Sequence, residues 1–241
     1  MIEGRRVLAV VPARGGSQGV KLKNLRLVGG VPLVGLAGDI ARAVPEIDRA
    51  VCSTDHAEIA RVAQEHGLAV PFLRPDDLSG PRIADWDVLN HALLACEVFD
   101  GVTYDIVLML QPTSPSRTPE NVRDTLRMLI NGGFDAVWTV SETDSKAHPL
   151  KQLVIGPDGA MDYYDSRGAT IIARQQLQPV YHRNGIAYAI TRDCLIGQGS
   201  IKGRRCGALL IEGLVANIDT EFDLDVANLL AERRKSGADK P

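Results

Sequence analysis

Residues 7–24 read VLAVVPARGGSQGVKLKN, an apolar run joined directly to a glycine-rich loop that carries Arg14, Lys21 and Lys23. The apolar run, residues 7–11, is typical of a buried strand. In open α/β sheets, ligands bind at the carboxyl ends of strands, which is where this loop would lie. Glycines let backbone N–H groups approach phosphate oxygens, and the cations can neutralise them. The segment therefore predicts an α/β fold with a phosphate-binding loop after its first strand.

The spacing within this loop excludes the two commonest nucleotide-binding motifs. No Gly-Lys-Ser/Thr closes the loop, and no G-x-G-x-x-G is present, so kinase and dehydrogenase interpretations lose their best support. A solvated glycine turn with surface lysines remains an alternative, because a single glycine-rich loop has a real false-positive rate. The position after an apolar strand favours the functional interpretation.

Outward from this loop, short β-branched runs alternate with helical patterns. Strands are predicted at residues 7–11, 50–53, 106–110 and 136–140, and helices at residues 33–44, 57–66 and 85–98 and after Thr118. Thr118 followed by Pro119 is a good helix start, because threonine caps and proline suits the first turn. The alternation predicts a mainly parallel sheet with helices on both faces.

The alternation stops between residues 141 and 183, where polar and short alternating runs surround the turn GPDG at residues 156–159. This pattern predicts an inserted arm built on a β-hairpin. The sheet pattern resumes at residues 186–190 and 208–211, and residues 221–234 predict a closing helix. We therefore expect one domain from residues 1–140 and 184–235, an arm at residues 141–183 and a polar tail at residues 236–241.

Composition narrows the range of partners. The chain has 241 residues, 45% hydrophobic and 24% charged, with a net charge of -3, so a small-molecule partner is favoured over nucleic acid. The first apolar run is far shorter than a membrane span and lacks a signal-peptide cleavage pattern, so we expect a cytoplasmic protein without membrane attachment. Four cysteines without C-x-x-C spacing are expected to be reduced, structural thiols.

Short motifs along almost the whole chain resemble one family, the CMP-sugar synthetases or acylneuraminate cytidylyltransferases. They are the loop with PARGGS at residues 12–17 and Lys23-Asn24, followed by STD at 53–55, LRP at 73–75, LQPTSP at 110–115, HPLK at 148–151, RQQ at 174–176, NG at 184–185 and IDTEFD at 218–223. The resemblance implies a Rossmann-like nucleotidyltransferase fold, a homodimer whose arm reaches the neighbouring active site, and transfer of CMP from CTP to an acidic keto-sugar.

The resemblance also implies roles for individual residues. Arg14, Lys23 and Asp219 would be catalytic, and Asp219 with Asn217 would hold Mg²⁺. The nucleotide would be bound by Ala13, Arg14, Gly15, Ser17, Lys21, Lys23, Asn24, Arg74 and Asp85. The sugar acid would be bound by Gln111, Lys151, Arg174, His182, Arg183, Asn184 and Tyr188, with Lys151 and Arg174 approaching across the dimer interface.

Purely structural roles are open for several of these residues. Asp219 or Thr220 can simply cap the last helix, and Lys151 and Arg174 can form ordinary surface ion pairs. A histidine such as His182 is more often a hydrogen-bonding residue than a general base, so no base is assigned.

This sequence departs from the family pattern at five positions. Gln18 stands where a lysine is usual, Lys21 where a proline is usual, Asn217 where the metal motif has aspartate, His182 where an arginine is usual, and Asp85 where serine is found. These changes leave two alternatives open. One is a related sugar acid of the legionaminate, pseudaminate or Kdo type, and the other is a weakened CTP-binding protein.

Overall fold

The computed structural model describes residues 1–235, so the predicted polar tail lies outside the described residues. The first half of the chain contains β1 (Val7–Pro12), β2 (Leu27–Val28), β3 (Val31–Pro32), α1 (Leu33–Arg42), β4 (Arg49–Ser53), α2 (Ala57–Glu65), α3 (Asp85–Asp100), β5 (Ile106–Met109), α4 (Pro119–Gly132) and β6 (Ala136–Glu142). The second half contains β7 (Leu153–Ile155), β8 (Met161–Tyr163), β9 (Tyr181–Thr191), β10 (Cys206–Leu210) and α5 (Glu221–Lys235).

The main sheet has six strands in the order β10-β6-β9-β5-β1-β4. Neighbouring strands are parallel except around β9, which runs antiparallel to both β5 and β6. The predicted mainly parallel α/β sheet is therefore confirmed. The reversal of β9 follows from the excursion before it, which returns the chain along the opposite direction.

Strand β1 lies inside the sheet and is buried on both faces. Val7, Ala9 and Val11 belong to the core beneath α1, α2 and α4, whereas Leu8 and Val10 belong to the core beneath α3. Alternating side chains of a strand point to opposite faces, so a strand covered on both sides must be apolar throughout. This explains why residues 7–11 are a continuous apolar run and fixes the loop that follows.

The start of α4 agrees with the predicted signal. Thr118 Oγ1 accepts from the Asn121 backbone N–H at 3.2 Å, and the Asn121 side chain accepts from the Thr118 N–H at 3.0 Å. This reciprocal capping box satisfies two N–H groups that the first helical turn leaves free. At the other end, Gly133 takes φ 58°, a left-handed conformation that glycine adopts without strain.

The predicted hairpin is present: β7 and β8 pair antiparallel around a turn in which Gly159 has φ 83°. The base of the excursion is a continuation of the main sheet, because Glu142 of β6 pairs with Tyr181 of β9. We use "arm" for residues 143–180 from here on. The division into a domain and an inserted unit stays a prediction.

The cysteines are free thiols, as predicted. Cys52, Cys96 and Cys194 are buried, and desolvation raises the pKa of each to about 12. Such thiols stay protonated and unreactive at neutral pH. Within residues 1–235, no helix has both the length and the apolarity needed to cross a membrane. The cytoplasmic location stays a prediction.

Candidate active site

A cleft of about 330 Å³ opens at the carboxyl ends of β1 and β5. Its walls come from the glycine-rich loop, the segment before α3, the segment after β5 and the segment before α5. Among the lining residues are Arg14, Ser17, Gln18, Lys23, Asn24, Arg74, Gly80, Ile83, Asp85, Gln111, Thr113, Asn217 and Asp219. The structure thus brings together residues that are up to about two hundred positions apart in sequence, as expected at the ligand-binding edge of an α/β sheet.

The glycine-rich loop is anchored by hydrogen bonds on both sides. The Ala13 N–H donates to the Ser53 carbonyl at 2.9 Å, and the Gly15 N–H donates to Asp55 Oδ1 at 2.8 Å. The amide of Asn24, a buried side chain, donates to the Arg14 carbonyl at 2.9 Å. Ala13 and Asn24 therefore brace the loop from within, which fixes the backbone that faces the cleft.

Gly19 allows the loop to touch the segment that carries Asp219. A Cβ atom on Gly19 would lie 2.2 Å from the Asp219 carbonyl oxygen, so no other residue fits without moving the backbone. Lys23 completes this contact: its Nζ donates to Asp219 Oδ1 at 2.9 Å and to the Ile218 carbonyl at 2.8 Å. One loop thus delivers an ammonium group directly to a carboxylate at the cleft.

The start of helix α5 is capped by Thr220 and Asp223 and not by the side chain of Asp219. The Asp223 N–H donates to Thr220 Oγ1 at 3.2 Å, and Asp223 Oδ2 accepts from the N–H groups of Asp219 and Thr220. These bonds, with the Asp219 N–H first, lower the pKa of the Asp223 carboxyl. Thr220 and Asp223 therefore cap the helix, and the Asp219 side chain, 72% exposed, remains available in the cleft.

The two arginines at the cleft are held differently. Arg14 donates from Nη1 to the Gly80 carbonyl at 2.7 Å, which links the loop to the segment before α3. Arg74 is buried and donates to the side chain and carbonyl of Ser53. Burial lowers the pKa of the Arg74 guanidinium. Arg14 is thus the more accessible cation, whereas Arg74 lies deeper and supports the end of β4.

Arg183 lies beside Asp85, one of the residues that line the cleft. Arg183 Nη1 lies 4.0 Å from Asp85 Oδ2, and the Arg183 guanidinium lies over the Trp138 ring, 5.0 Å from its centroid. Asp85 lines the cleft, so the predicted nucleotide-binding and sugar-binding residues meet here. His182 points to the base of the arm instead, where its Nδ1 is 3.0 Å from Thr143 Oγ1.

Of the seven predicted sugar-binding residues, only Gln111 is among the residues that line the cleft. Asn184 is buried; its Oδ1 accepts from the Thr139 hydroxyl at 2.6 Å, and its Nδ2 donates to Ser141 Oγ at 3.1 Å. Tyr188 is also buried, and its hydroxyl accepts from the Gly185 N–H at 2.8 Å. In this structure both side chains support the wall behind Gln111, and direct contact with a ligand stays a prediction.

Besides Arg183, three predicted lysines and arginines do not line the cleft. Lys21 is an exposed residue of the glycine-rich loop. Lys151 and Arg174 are exposed on the arm, and Arg174 borders a separate depression at its base. Sequence reasoning assigned no role to Asp55, the carboxylate that holds Gly15. The signal was available, because the motif STD follows β4 at the same edge of the sheet.

The cleft lining suits a divalent cation that takes most of its coordinating oxygens from a bound substrate and few from the protein. Within the described part of the chain, no group of three or more His, Cys, Asp or Glu side chains could form a metal cage. Asp219 supplies one exposed carboxylate and Asn217 one amide oxygen at the same wall. Mg²⁺ is commonly bound through one or two carboxylates together with substrate phosphates, so these residues fit.

The fold and the cleft define a class, the nucleotidyltransferases, which generally use a divalent cation. The chain belongs to the cytidylyltransferase family, whose model matches residues 8–232. This assigns it to the CTP-dependent members of the class.

Two curated relatives show the range of similar proteins. The CMP-N,N'-diacetyllegionaminic acid synthase of Legionella pneumophila is 32% identical over 92% of this chain and 94% of its own length. The N-acylneuraminate cytidylyltransferase of Oncorhynchus mykiss is 34% identical over 99% of this chain and 54% of its own length.

A solved structure supports the fold. A CMP:2-keto-3-deoxy-manno-octonic acid synthetase complexed with CTP superimposes with a TM-score of 0.67, at 20% identity, over 95% of this chain and 99% of the other. The predicted Rossmann-like nucleotidyltransferase fold is confirmed.

Proposed function

We propose that this protein transfers CMP from CTP to the anomeric hydroxyl of a 3-deoxy-2-ulosonic acid, a sialic-acid-like nonulosonate, and releases pyrophosphate. The observation that carries the proposal is the 2.9 Å contact between Lys23 and Asp219, which joins a phosphate-binding loop to a metal-type carboxylate in one cleft. The relatives named for legionaminic and N-acylneuraminic acid support an acidic nine-carbon acceptor.

In this reaction the anomeric oxygen attacks the α-phosphorus, the bond to the bridging oxygen of the β-phosphate breaks, and the hydroxyl proton passes to solvent. Catalysis of this kind rests mainly on positioning and charge neutralisation. Arg14 and Lys23 would bind the triphosphate with the N–H groups of Gly15 and its neighbours. Ser17 adds a hydroxyl at the same wall of the cleft.

The other residues would orient the two substrates. Arg74 and Asn24 would hold the nucleoside end through the braced loop, with Asp85 beside it. Gln111 would contact the sugar acid from the opposite wall. Arg183, half exposed beside Asp85, has a planar guanidinium suited to a carboxylate. Asn184 and Tyr188 would shape this wall from behind.

Asp219, with the amide oxygen of Asn217, would hold Mg²⁺ against the phosphates. When bound, the cation neutralises developing charge on the leaving pyrophosphate and lowers the pKa of an oxygen it contacts. Lys23 bonds to Asp219 Oδ1, and we expect the negative charge of the triphosphate to draw its ammonium group from Asp219 toward the phosphates. Lys23 already lines the cleft, so this movement needs no change of the loop backbone.

A homodimer would complete the site. The arm carries outward apolar side chains, including Ile155 at 76%, Met161 at 65% and Ile172 at 93% exposure. Apolar surface concentrated on one projecting element marks an interaction site. A second copy would cover it and bring Lys151 and Arg174 to the neighbouring cleft, where cations suit an acidic sugar or pyrophosphate.

The test is pyrophosphate release with CTP, Mg²⁺ and a panel of acids: N-acetylneuraminic, legionaminic, pseudaminic and 3-deoxy-octulosonic acid. We expect turnover with at least one nine-carbon acid and CTP as the preferred nucleotide. CTP binding without turnover on any acid would favour the weakened-protein alternative, and preference for another nucleotide would refute the proposal.

A further inference from the structure

Arg117 is a buried arginine between the segment after β5 and α4, with 5% of its surface exposed. Its hydrogen bonds run to backbone carbonyls: Nη2 donates to Gln111 at 2.6 Å and to Gly185 at 3.0 Å, and Nε donates to Ile186. Neutral acceptors compensate poorly for lost water, so burial lowers the pKa of this guanidinium. A charged group kept at such a cost calls for a role beyond packing.

These carbonyls belong to two segments that meet at the cleft wall. Gln111 begins the lining segment that continues through Pro112 and Thr113. Gly185 and Ile186 lie within β9, where Gly185 takes φ 73°. The single Nη2 atom, which bonds to both segments, therefore fixes the distance between the Gln111 backbone and β9.

The side chain of Gln111 depends on the same arrangement. A Cβ atom on Gly185 would lie 2.4 Å from Gln111 Oε1, so the Gln111 side chain rests directly on this glycine. Ser114 adds a second link, since its hydroxyl donates to the Asn184 carbonyl at 2.8 Å. Gln111 thus has its backbone held by Arg117 and its side chain supported by the segment that Arg117 also holds.

We propose that Arg117 is a positioning residue that fixes Gln111 against the sugar-acid end of the cleft. The inference rests on the proposed function, because it takes Gln111 as the contact to the acceptor. Arg117 itself contacts no substrate, so it acts only through the orientation of Gln111.

The test compares Arg117→Lys and Arg117→Met with wild type. Lysine keeps the charge but cannot reproduce the guanidinium fork that spans three carbonyls. We expect the KM for the sugar acid to rise about tenfold to 100-fold, because small misplacements of positioning groups have effects of this size. The KM for CTP should stay within about twofold. Arg127→Met, at an exposed arginine of α4, is the matched control and should change neither constant.

Two further measurements separate positioning from general damage. If Arg117 acts through Gln111, the effect of Gln111→Ala should nearly vanish in the Arg117→Lys background, as residues of one unit are non-additive. Additive effects, or equal rises in both KM values, would overturn the inference.

A crystal structure of Arg117→Lys gives a readout without turnover: Gln111 should move away from Gly185, and an unmoved Gln111 would also overturn the inference. An inactive wild type would instead count against the proposed function, leaving this structural comparison to decide the role of Arg117.

Discussion

The cleft wall formed by residues 13–24, which we propose binds the triphosphate, differs from the arm in how fully contacts within one chain cover its side chains. In the wall, Lys23, Asn24 and Arg14 each have a hydrogen-bond partner within the chain, and the apolar strand beneath is buried. In the arm, the strands β7 and β8 carry exposed apolar side chains. The polar groups of the wall are thus bonded within one chain. The arm instead exposes apolar surface of the kind that contacts a partner.

This difference separates the predicted site residues into two groups. Residues implied for the nucleotide lie mostly in one cleft, and their positions follow from the sheet edge. Lys151 and Arg174, implied for the acceptor, lie outside it on the arm. If the arm serves a second subunit, the first group acts within the chain and the second acts between chains. Each of the following predictions tests one side of that contrast.

The largest effect is expected for Asp219→Ala. Its carboxylate is exposed, and the cap of α5 uses Thr220 and Asp223, so the fold should persist. Loss of this proposed metal ligand should reduce kcat/KM by about 100-fold or more in a pyrophosphate-release assay. Glu212→Ala, an exposed carboxylate outside the cleft, is the control. Unchanged activity of Asp219→Ala would remove this residue from the mechanism.

A smaller effect is expected for Lys23→Met. A hydrogen bond to a charged group contributes about 1.5–3 kcal/mol, so the Kd for CTP should rise about tenfold to 100-fold. Removing Lys23 also frees Asp219, so Mg²⁺ binding without nucleotide should strengthen while CTP binding weakens. Titration calorimetry measures both.

The matched control for Lys23→Met is Arg26→Met, because Arg26 pairs with Glu221 and lies outside the cleft lining. Its Kd values for CTP and Mg²⁺ should equal those of wild type. Equal changes in the two variants would mean that general surface charge, rather than the Lys23 contact, governs binding.

The smallest effect is expected when two variants are mixed to test whether the arm acts on the neighbouring subunit. Chains with Asp219→Ala and chains with Lys151→Ala and Arg174→Ala are each expected to be poorly active. If arms act across the interface, a 1:1 mixed dimer holds one intact site, and exchange should restore about a quarter of the wild-type rate. No recovery after confirmed subunit exchange would mean that each arm serves its own chain or none.

Short-range signals made much of the fold predictable. Residues 7–11 had to be buried on both sides, and Thr118 with Pro119 specified the start of α4. The direction of β9 was not predictable, because it depends on how the excursion before it returns the chain. The alternation of apolar residues is the same for either strand direction.

The site was predictable in part for the same reason. The motifs that contain Arg14, Lys23 and Asp219 lie next to predicted strands or helices, so the position of these residues at the sheet edge was predictable. The contacts of Arg117 with Gln111 and Gly185 could not be read from sequence, since they depend on a close approach of segments about seventy residues apart. The same holds for the buried state of Asn184 and Tyr188, whose residue types suit a ligand contact equally well.

The most direct test of the central claim is a crystal structure of the protein with CTP and Mg²⁺. The account predicts the triphosphate against residues 13–23, with Lys23 Nζ moved from Asp219 to a phosphate oxygen and Asp219 beside the cation. A nucleotide bound elsewhere, or a loop that turns away from it while Lys23 stays on Asp219, would contradict the account.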